Sequence, residues 1–408
     1  MSTNIDESLL AHFAPLFADI AAGAVRREHE RTLPFAEVRA LADAGFGKLR
    51  LPVEDGGYGV PLATLVDLVR ELATADSNIA HLWRGHFGFV ELVRLWPDSP
   101  RRRAWLDRVS RGEIVGNATS ETTGNTLADI SSTVTETEGR WLLNGTKFYS
   151  TGTLYADWIY GAAGRATADG VERVTFAVRR DAPGVMCEDD WDGFGQAHTA
   201  SGTTRFHDVE VDATEIASYR DAPLSHIQPF FQLYLVAVVT GIAQAIERDT
   251  VEFVRPRTRT YIHANAEVPG EDPQVLEVIG RVSTDAFTVR TLLTAAATAL
   301  DGVVASNVPG QGVSREVLES AENTVYQAQV TVLDLTLRAA TRMFEVGGAS
   351  ATYRDLALDR HWRNARVVAS HNPAIYKYRM VGEYSLHGRG PVDSWRAYHA
   401  VGRTTFAR

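Results

Sequence analysis

The run Leu143-Asn144-Gly145-Thr146-Lys147-Phe148-Tyr149-Ser150-Thr151-Gly152, with Tyr155-Ala156-Asp157-Trp158-Ile159 close behind, carries the residue types best suited to work on a flat ring. Asn-Gly is the strongest short-range hairpin signal and Lys147–Thr151 alternates with a period of two, so the spacing predicts a turn, a strand and a second turn. A strand edge offering Phe148, Tyr149, Ser150 and Thr151 can lie against a planar heteroaromatic and bond its nitrogens and oxygens; the same pattern suits an ordinary antiparallel strand. Trp191 and Phe194, in Asp190-Trp191-Asp192-Gly193-Phe194-Gly195, either stack on such a ring or fill a core. His86, within Trp83-Arg84-Gly85-His86-Phe87-Gly88-Phe89, is either a proton-handling group or a hydrogen-bonded core histidine. His198, in a loop rich in Gly and Thr, reads as a surface histidine.

Composition narrows the classes. The 408 residues are 45% hydrophobic and carry a net charge of −10, which argues against nucleic acid or an anionic membrane as partner. One cysteine, Cys187, excludes an internal disulfide framework and a multi-cysteine metal site, and fits a reducing cytoplasm. The first twenty residues lack the basic start and apolar core of a secretory signal. The most apolar windows, Leu233–Ile246 and Leu292–Ala305, are too short to span a bilayer and read as buried helices. No Gly-x-Gly-x-x-Gly follows a strand, so no nicotinamide-binding fold is expected.

Three blocks must position these residues. Residues 1–112 show apolar side chains at three- and four-residue spacing, broken at Leu51–Val60 by Pro and Gly, and predict a helical domain. Residues 113–222 change to short β-type runs and predict a small antiparallel barrel or sandwich. Residues 223–408 return to long helical segments, Phe230–Val254, Pro273–Asn307 and Ser314–Phe344, which predict a bundle. The last stretch, Ala369–Arg408, rich in Gly, Pro, His and aromatics, reads as an irregular tail.

Helices, a β block and a four-helix bundle, in that order, resemble the α+β acyl-CoA dehydrogenase fold. The resemblance rests on Gly116-Asn117-Ala118-Thr119-Ser120-Glu121 followed by Gly124, on Trp141–Thr151, on Phe206-His207-Asp208-Val209-Glu210-Val211, and on Glu345-Val346-Gly347-Gly348-Ala349-Ser350 with Asp359-Arg360 and Arg363-Asn364-Ala365-Arg366. Two departures matter. Where dehydrogenases of this kind commonly carry a catalytic glutamate in a Tyr-Glu-Gly-Thr loop, this chain has His371-Asn372-Pro373-Ala374, and an amide cannot act as that base. The Arg-x-x-Phe-Gly motif that helps hold the adenine end of FAD is reduced to Arg257 in Arg257-Thr258-Arg259-Thr260-Tyr261; such an arginine could clamp a terminal phosphate, which suits FMN better than FAD. With Tyr155-Ala156-Asp157-Trp158 and His361-Trp362, these departures are similar to the branch of two-component flavin monooxygenases that includes the dibenzothiophene, alkyl sulfone and sulfinate enzymes. Ala197 departs from that branch, where an arginine is expected.

The resemblance implies a monooxygenase that takes externally supplied reduced FMN, forms a C4a-hydroperoxide with O2 and oxygenates a small organosulfur compound. It implies a separate NAD(P)H-dependent flavin reductase as partner and a homotetramer. His371, Ser150 and His86 are then the candidates for bonding the peroxide. Asn117, Thr119, Ser120, Phe148, Tyr149, Thr151, Trp191, Arg257, Gly347, Gly348, Ser350 and Asn364 are the candidates for holding the flavin, and Tyr384–Gly390 a candidate lid. The competing readings are oxidation of an amine nitrogen, an FAD-dependent acyl-CoA dehydrogenase with a relocated base, and a degenerate flavin-fold protein kept for binding.

Overall fold

The computed structural model describes residues 7–122, 130–168, 170–218, 223–308 and 311–392. Gly124, and the end of the tail from 393, fall outside the described residues. Among the described residues, six α-helices come first: α1 (Glu7–Glu30), α2 (Phe35–Asp43), α3 (Leu62–Ala75), α4 (Ser77–Leu82), α5 (Arg84–Leu95) and α6 (Pro100–Ser110). Asp76 caps α4 by accepting the Asn78 N–H, and Ser99 caps α6 by accepting the Arg102 N–H, each supplying an acceptor the first helical turn otherwise lacks. Eight described strands follow: β1 (Val115–Ala118), β2 (Thr133–Thr137), β3 (Arg140–Lys147), β4 (Trp158–Thr167), β5 (Gly170–Arg179), β6 (Val185–Cys187), β7 (Thr204–Val211) and β8 (Ala217–Ser218). Then come α7 (Ile227–Val254), α8 (Pro273–Ala305), α9 (Arg315–Arg342), α10 (Asp359–His371) and α11 (Ala374–His387).

The strands form one sheet in the order β6-β7-β3-β2-β4-β5-β8, with β1 beside β4. It is mixed rather than purely antiparallel, because β1 runs parallel to β4 and β2 meets β4 in parallel at Thr133 and Gly164. The hairpin signal at Asn144-Gly145 is spent differently from the expectation. Both residues lie inside β3, opposite a bulge in β7 where Asp208 adopts φ +49°, and the Asn144 and Asp208 side chains hydrogen-bond across it at 2.9 Å. The β2–β3 turn is made by Glu138 and Gly139, both at positive φ, as the tight two-residue hairpin requires.

The two helical parts share one apolar core, in which Phe13, Phe46, Leu65 and Trp83 continue into Phe230, Tyr234, Leu293 and Val325. The sheet keeps a separate core around Val134, Leu143, Phe176 and Val209. α1, α7 and α8 each exceed the apolar windows seen in the sequence and are long and apolar enough to cross a membrane by length and composition; α7 is instead buried by protein on nearly all sides. The tail expected to be irregular continues as α11, which starts after Pro373 and stops at Gly388 with φ +65°.

Candidate active site

The chain arranges the expected ring-holding residues along one ridge between sheet and helices. β1 delivers Asn117, and the Asn117 amide donates to the Thr151 carbonyl at 3.0 Å, so the strand and the turn after β3 are tied side by side. Phe148 N–H donates to the Ser120 carbonyl at 2.9 Å, closing an isolated antiparallel bridge. Tyr149 stands at φ +57°, a conformation costly for a non-glycine residue, and is 54% exposed with its ring edge-on to Trp191. Thr151 Oγ1 is within 2.7 Å of Ser201 Oγ, its N–H donates to the Tyr149 carbonyl at 2.9 Å and its carbonyl accepts from Asn117, so this residue shapes the turn with its bonding groups already engaged. Thr119 and Ser120 are half-buried beside them.

Beneath this ridge lies a buried ion pair. Lys147 Nζ donates to Glu121 Oε1 at 2.5 Å, and Glu121 also accepts from the Ser131 hydroxyl and from the Ser131 and Ser132 N–H groups. Burial alone would raise the Glu121 carboxyl, but these donors outweigh it and hold it down at about 2. Burial brings the Lys147 ammonium down to about 8 against the pull of Glu121.

The reactive candidates separate. Ser150 is buried, and its Oγ has no hydrogen-bond partner. A buried hydroxyl without a partner is costly, so this one fits a site completed by a ligand. His371 ends α10; the residue as a whole is exposed, but its ring is turned inward among its neighbours, 5.8 Å from that of His81 in a T-shaped contact. Burial of the ring by its neighbours, then the nearby Arg84 charge and His81, push its pKa well down, so it is a neutral imidazole at pH 7. His86 is a correction: Nε2 lies 2.9 Å from the Gly47 carbonyl and Nδ1 accepts the Val115 N–H at 3.2 Å, so neither ring nitrogen is left to bond a reactant. It clamps α5 to β1.

The residue the sequence reading missed is His81. Its Nδ1 is 2.9 Å from Gln196 Oε1, its Nε2 is buried with no partner, and burial with the adjacent Arg84 charge brings it to about 4. Spacing is the signal that could have found it. His81 near the end of α4 and Arg84 at the start of α5 are three apart, whereas His86, five on from His81, is spent on Gly47 and Val115. Gln196 links this corner to α10, because its N–H donates to Asn364 Oδ1 at 2.6 Å and its amide donates to Ser77 Oγ at 3.1 Å. Asn364 is therefore a buried loop anchor, its Oδ1 spent on Gln196 rather than on a cofactor. His198, expected at the surface, is buried, with both ring nitrogens unpartnered.

Four nominated residues, Arg257, Gly347, Gly348 and Ser350, sit apart from the ridge. Arg257 stacks on Phe253 at 4.6 Å, with Nε buried and unpartnered. Gly347 faces the same Phe253, which a Cβ would meet at 2.3 Å, so the glycine is explained by packing. Gly348 at φ +52° begins the 3₁₀ turn that holds Ser350, whose N–H donates to the Gly347 carbonyl. Trp191 bonds the Gly195 carbonyl through Nε1 at 3.0 Å, and Phe194 stacks on Trp362 at 6.0 Å, so this loop is docked on α10. Ridge, orphaned Ser150 hydroxyl and imidazole pair together fit a flat ring with polar edges, and Arg257 fits a phosphate in chemistry if not in position within one chain.

Family models for acyl-CoA dehydrogenases match along the chain: the N-terminal domain at residues 11–113, the middle domain at 117–209 and the C-terminal domain at 233–374. The chain is 29% identical over 391 residues to a probable FMNH2-dependent monooxygenase, SfnC, of Pseudomonas putida, covering 95% of this chain and 96% of the relative. It is 29% identical over 389 residues to the dibenzothiophene monooxygenase of Rhodococcus qingshengii, covering 92% of each. Among solved structures it superposes on methanesulfinate monooxygenase MsuC of Pseudomonas fluorescens with a TM-score of 0.85 at 29% identity, covering 94% of this chain and 97% of that one. It superposes on FMN-bound TdsC of Paenibacillus sp. A11-2 with a TM-score of 0.87 at 26% identity, covering 94% and 98%. In element order, site architecture and sequence alike, the chain belongs to the acyl-CoA dehydrogenase family.

Proposed function

We propose that the chain is a flavin-dependent monooxygenase that takes reduced FMN from solution and uses O2 to oxygenate a small organosulfur compound. The observation that carries this reading is the reactive corner itself. Among the described residues, no carboxylate hydrogen-bonds or pairs with His81, Arg84, Ser150 or His371, so the base that would remove an α-proton from an acyl thioester is missing. In its place stand two neutral imidazoles and an unspent hydroxyl, which can donate, accept and shield from water without deprotonating carbon. The names of the matched relatives point the same way.

Reduced FMN supplies the two electrons that activate O2. The chain's own residues bind and orient. The ridge of Asn117, Ser120 and Tyr149 would carry the ring, Ser150 Oγ and His371 would be the groups that bond the reacting end, and Gln196 fixes the His81 tautomer. The cofactor must arrive reduced, which calls for a separate NAD(P)H-dependent flavin reductase. A homotetramer in which Arg257 serves a neighbouring copy's ridge would join the two groups of residues that one chain keeps apart. Phe287, Leu276, Ile375 and Tyr376, exposed on α8 and α11, offer apolar surface for such an assembly. The free thiol of Cys187 suits a cytoplasmic location.

The test is oxygen uptake by purified protein supplied with FMN and a flavin reductase. Uptake coupled to sulfur oxygenation is expected. Bound FAD with acyl-CoA-dependent dye reduction would overturn the reading. His371→Ala should leave FMN affinity within about twofold yet divert O2 to hydrogen peroxide, because the lost contact is to the reacting end and not to the ring.

A further inference from the structure

Four buried arginines among the described residues are matched by carboxylates. Arg27 bonds Asp76 and Glu37, Arg50 bonds Glu91, Arg70 bonds Asp67 and Glu71, and Arg360 bonds Asp249. Arg84 is not. Its Nε donates to the Phe231 carbonyl at 3.1 Å and its guanidinium lies over the Phe231 ring at 4.7 Å, and no carboxylate pairs with it among the described residues. With Nε spent and the plane stacked, the two terminal nitrogens remain as a fork, the geometry that grips a group with two oxygens. The fork stands at the start of α5, three residues past His81 near the end of α4, and its charge bears on both His81 and His371. Burial lowers its pKa only to about 10, so it is a cation at neutral pH. A cation left half-buried without a counterion costs stability unless a ligand supplies one.

We propose that Arg84 anchors an anionic head group of the substrate, and that the substrate class is accordingly an alkyl sulfinate rather than a neutral sulfide, sulfone or thiophene. The inference rests on the monooxygenase reading. A sulfinate combines two anionic oxygens with a sulfur lone pair; the fork holds the oxygens and leaves the lone pair facing the ring. Overall, RSO2⁻ + FMNH2 + O2 gives RSO3⁻ + FMN + H2O. A new S–O bond forms and the O–O bond breaks. Sulfur is oxidised by two electrons, and the second oxygen leaves as water with the two hydrogens of the reduced flavin.

The experiment compares wild type, Arg84→Leu and Arg84→Lys on ethanesulfinate and on ethyl methyl sulfide, with FMN affinity measured by fluorescence quenching and ethanesulfonate binding by calorimetry. In Arg84→Leu the KM for ethanesulfinate should rise on the order of 10- to 100-fold, as loss of a charge-assisted contact predicts. FMN affinity and the slower turnover of the sulfide should stay within about twofold, and Arg84→Lys should recover part of the loss. Ethanesulfonate should bind wild type and not Arg84→Leu. Oxygenation of both substrates with no dependence on Arg84, or a wild-type preference for the sulfide, overturns the proposal and leaves the monooxygenase reading standing. Arg84-dependent ethanesulfonate binding with no oxygenation of any sulfur compound keeps the anion site and overturns the monooxygenase reading. Equal loss of FMN binding and of turnover on both substrates in Arg84→Leu and Arg84→Lys would make Arg84 structural and overturn the proposal.

Discussion

Two buried charged centres in this molecule are built on opposite rules. At the first, Glu91, fully buried on α5, is bonded by Arg50 at 2.6 and 3.1 Å, by Arg94 at 2.9 and 3.0 Å, and lies 2.7 Å from His226 Nε2. At the second, about two turns of α5 away, Arg84 has among the described residues only a carbonyl and an aromatic face. Neighbours on one helix thus differ in what completes them: the first is closed by the chain, the second is left for something the chain binds. Matched charge fixes the helices; unmatched charge and orphaned hydroxyls mark where chemistry is done.

The contrast can be broken most forcefully at the closed centre. Glu91→Gln leaves two arginines buried without their carboxylate, and a loss of roughly 3–5 kcal/mol in unfolding free energy is expected from urea melts. A variant as stable as wild type would show that the node is not a structural keystone. A smaller effect comes from acid. His81 and His86 are each held at about 4 against an ordinary 6.5, so the unfolded chain takes up their protons first as pH falls. Stability is therefore full above about 6.5 and falls between about 6.5 and 4, by about 1.4 kcal/mol per pH unit for each histidine. Replacing His86 with Gln should flatten that slope; an unchanged slope would mean the ring is not buried neutral. The smallest effect is expected at the surface, where Arg103 meets Asp98 at 2.6 Å with both side chains more than half exposed. Arg103→Ala should shift stability by at most about 0.5 kcal/mol, and 0.5 M salt should erase even that.

The large organisation was legible in the sequence because long helices and alternating strands write their period into the chain, and the ridge at Phe148–Thr151 was legible because its residue types cluster. Other features were hidden for identifiable reasons. Asn144-Gly145 carries a genuine local turn preference, but pairing of β3 with β7 uses it opposite a bulge instead. His86 drew attention by sitting in an apolar run, and that apolar run is why it is a core clamp. His81 and Arg84 become chemistry only through long-range neighbours, His371 and Phe231, which no local pattern contains. α11 was obscured by its aromatic and glycine content, although Pro373 before it and Gly388 after it are ordinary helix punctuation.

Gly152 turns the chain directly under α4: a Cβ there would come within 2.3 Å of the Leu82 carbonyl, and the glycine holds φ +79°. Leu82 follows His81 and Gly152 follows Thr151, so the turn after β3 and the α4–α5 junction that carries His81 and Arg84 are registered against each other at van der Waals distance. For protein engineering this means the sheet block is not a cassette. A chimera that imports a relative's β domain without the matching α4–α5 segment would shift the oxidant against the substrate anchor, and would be expected to spend reduced flavin on hydrogen peroxide while still folding and still binding FMN.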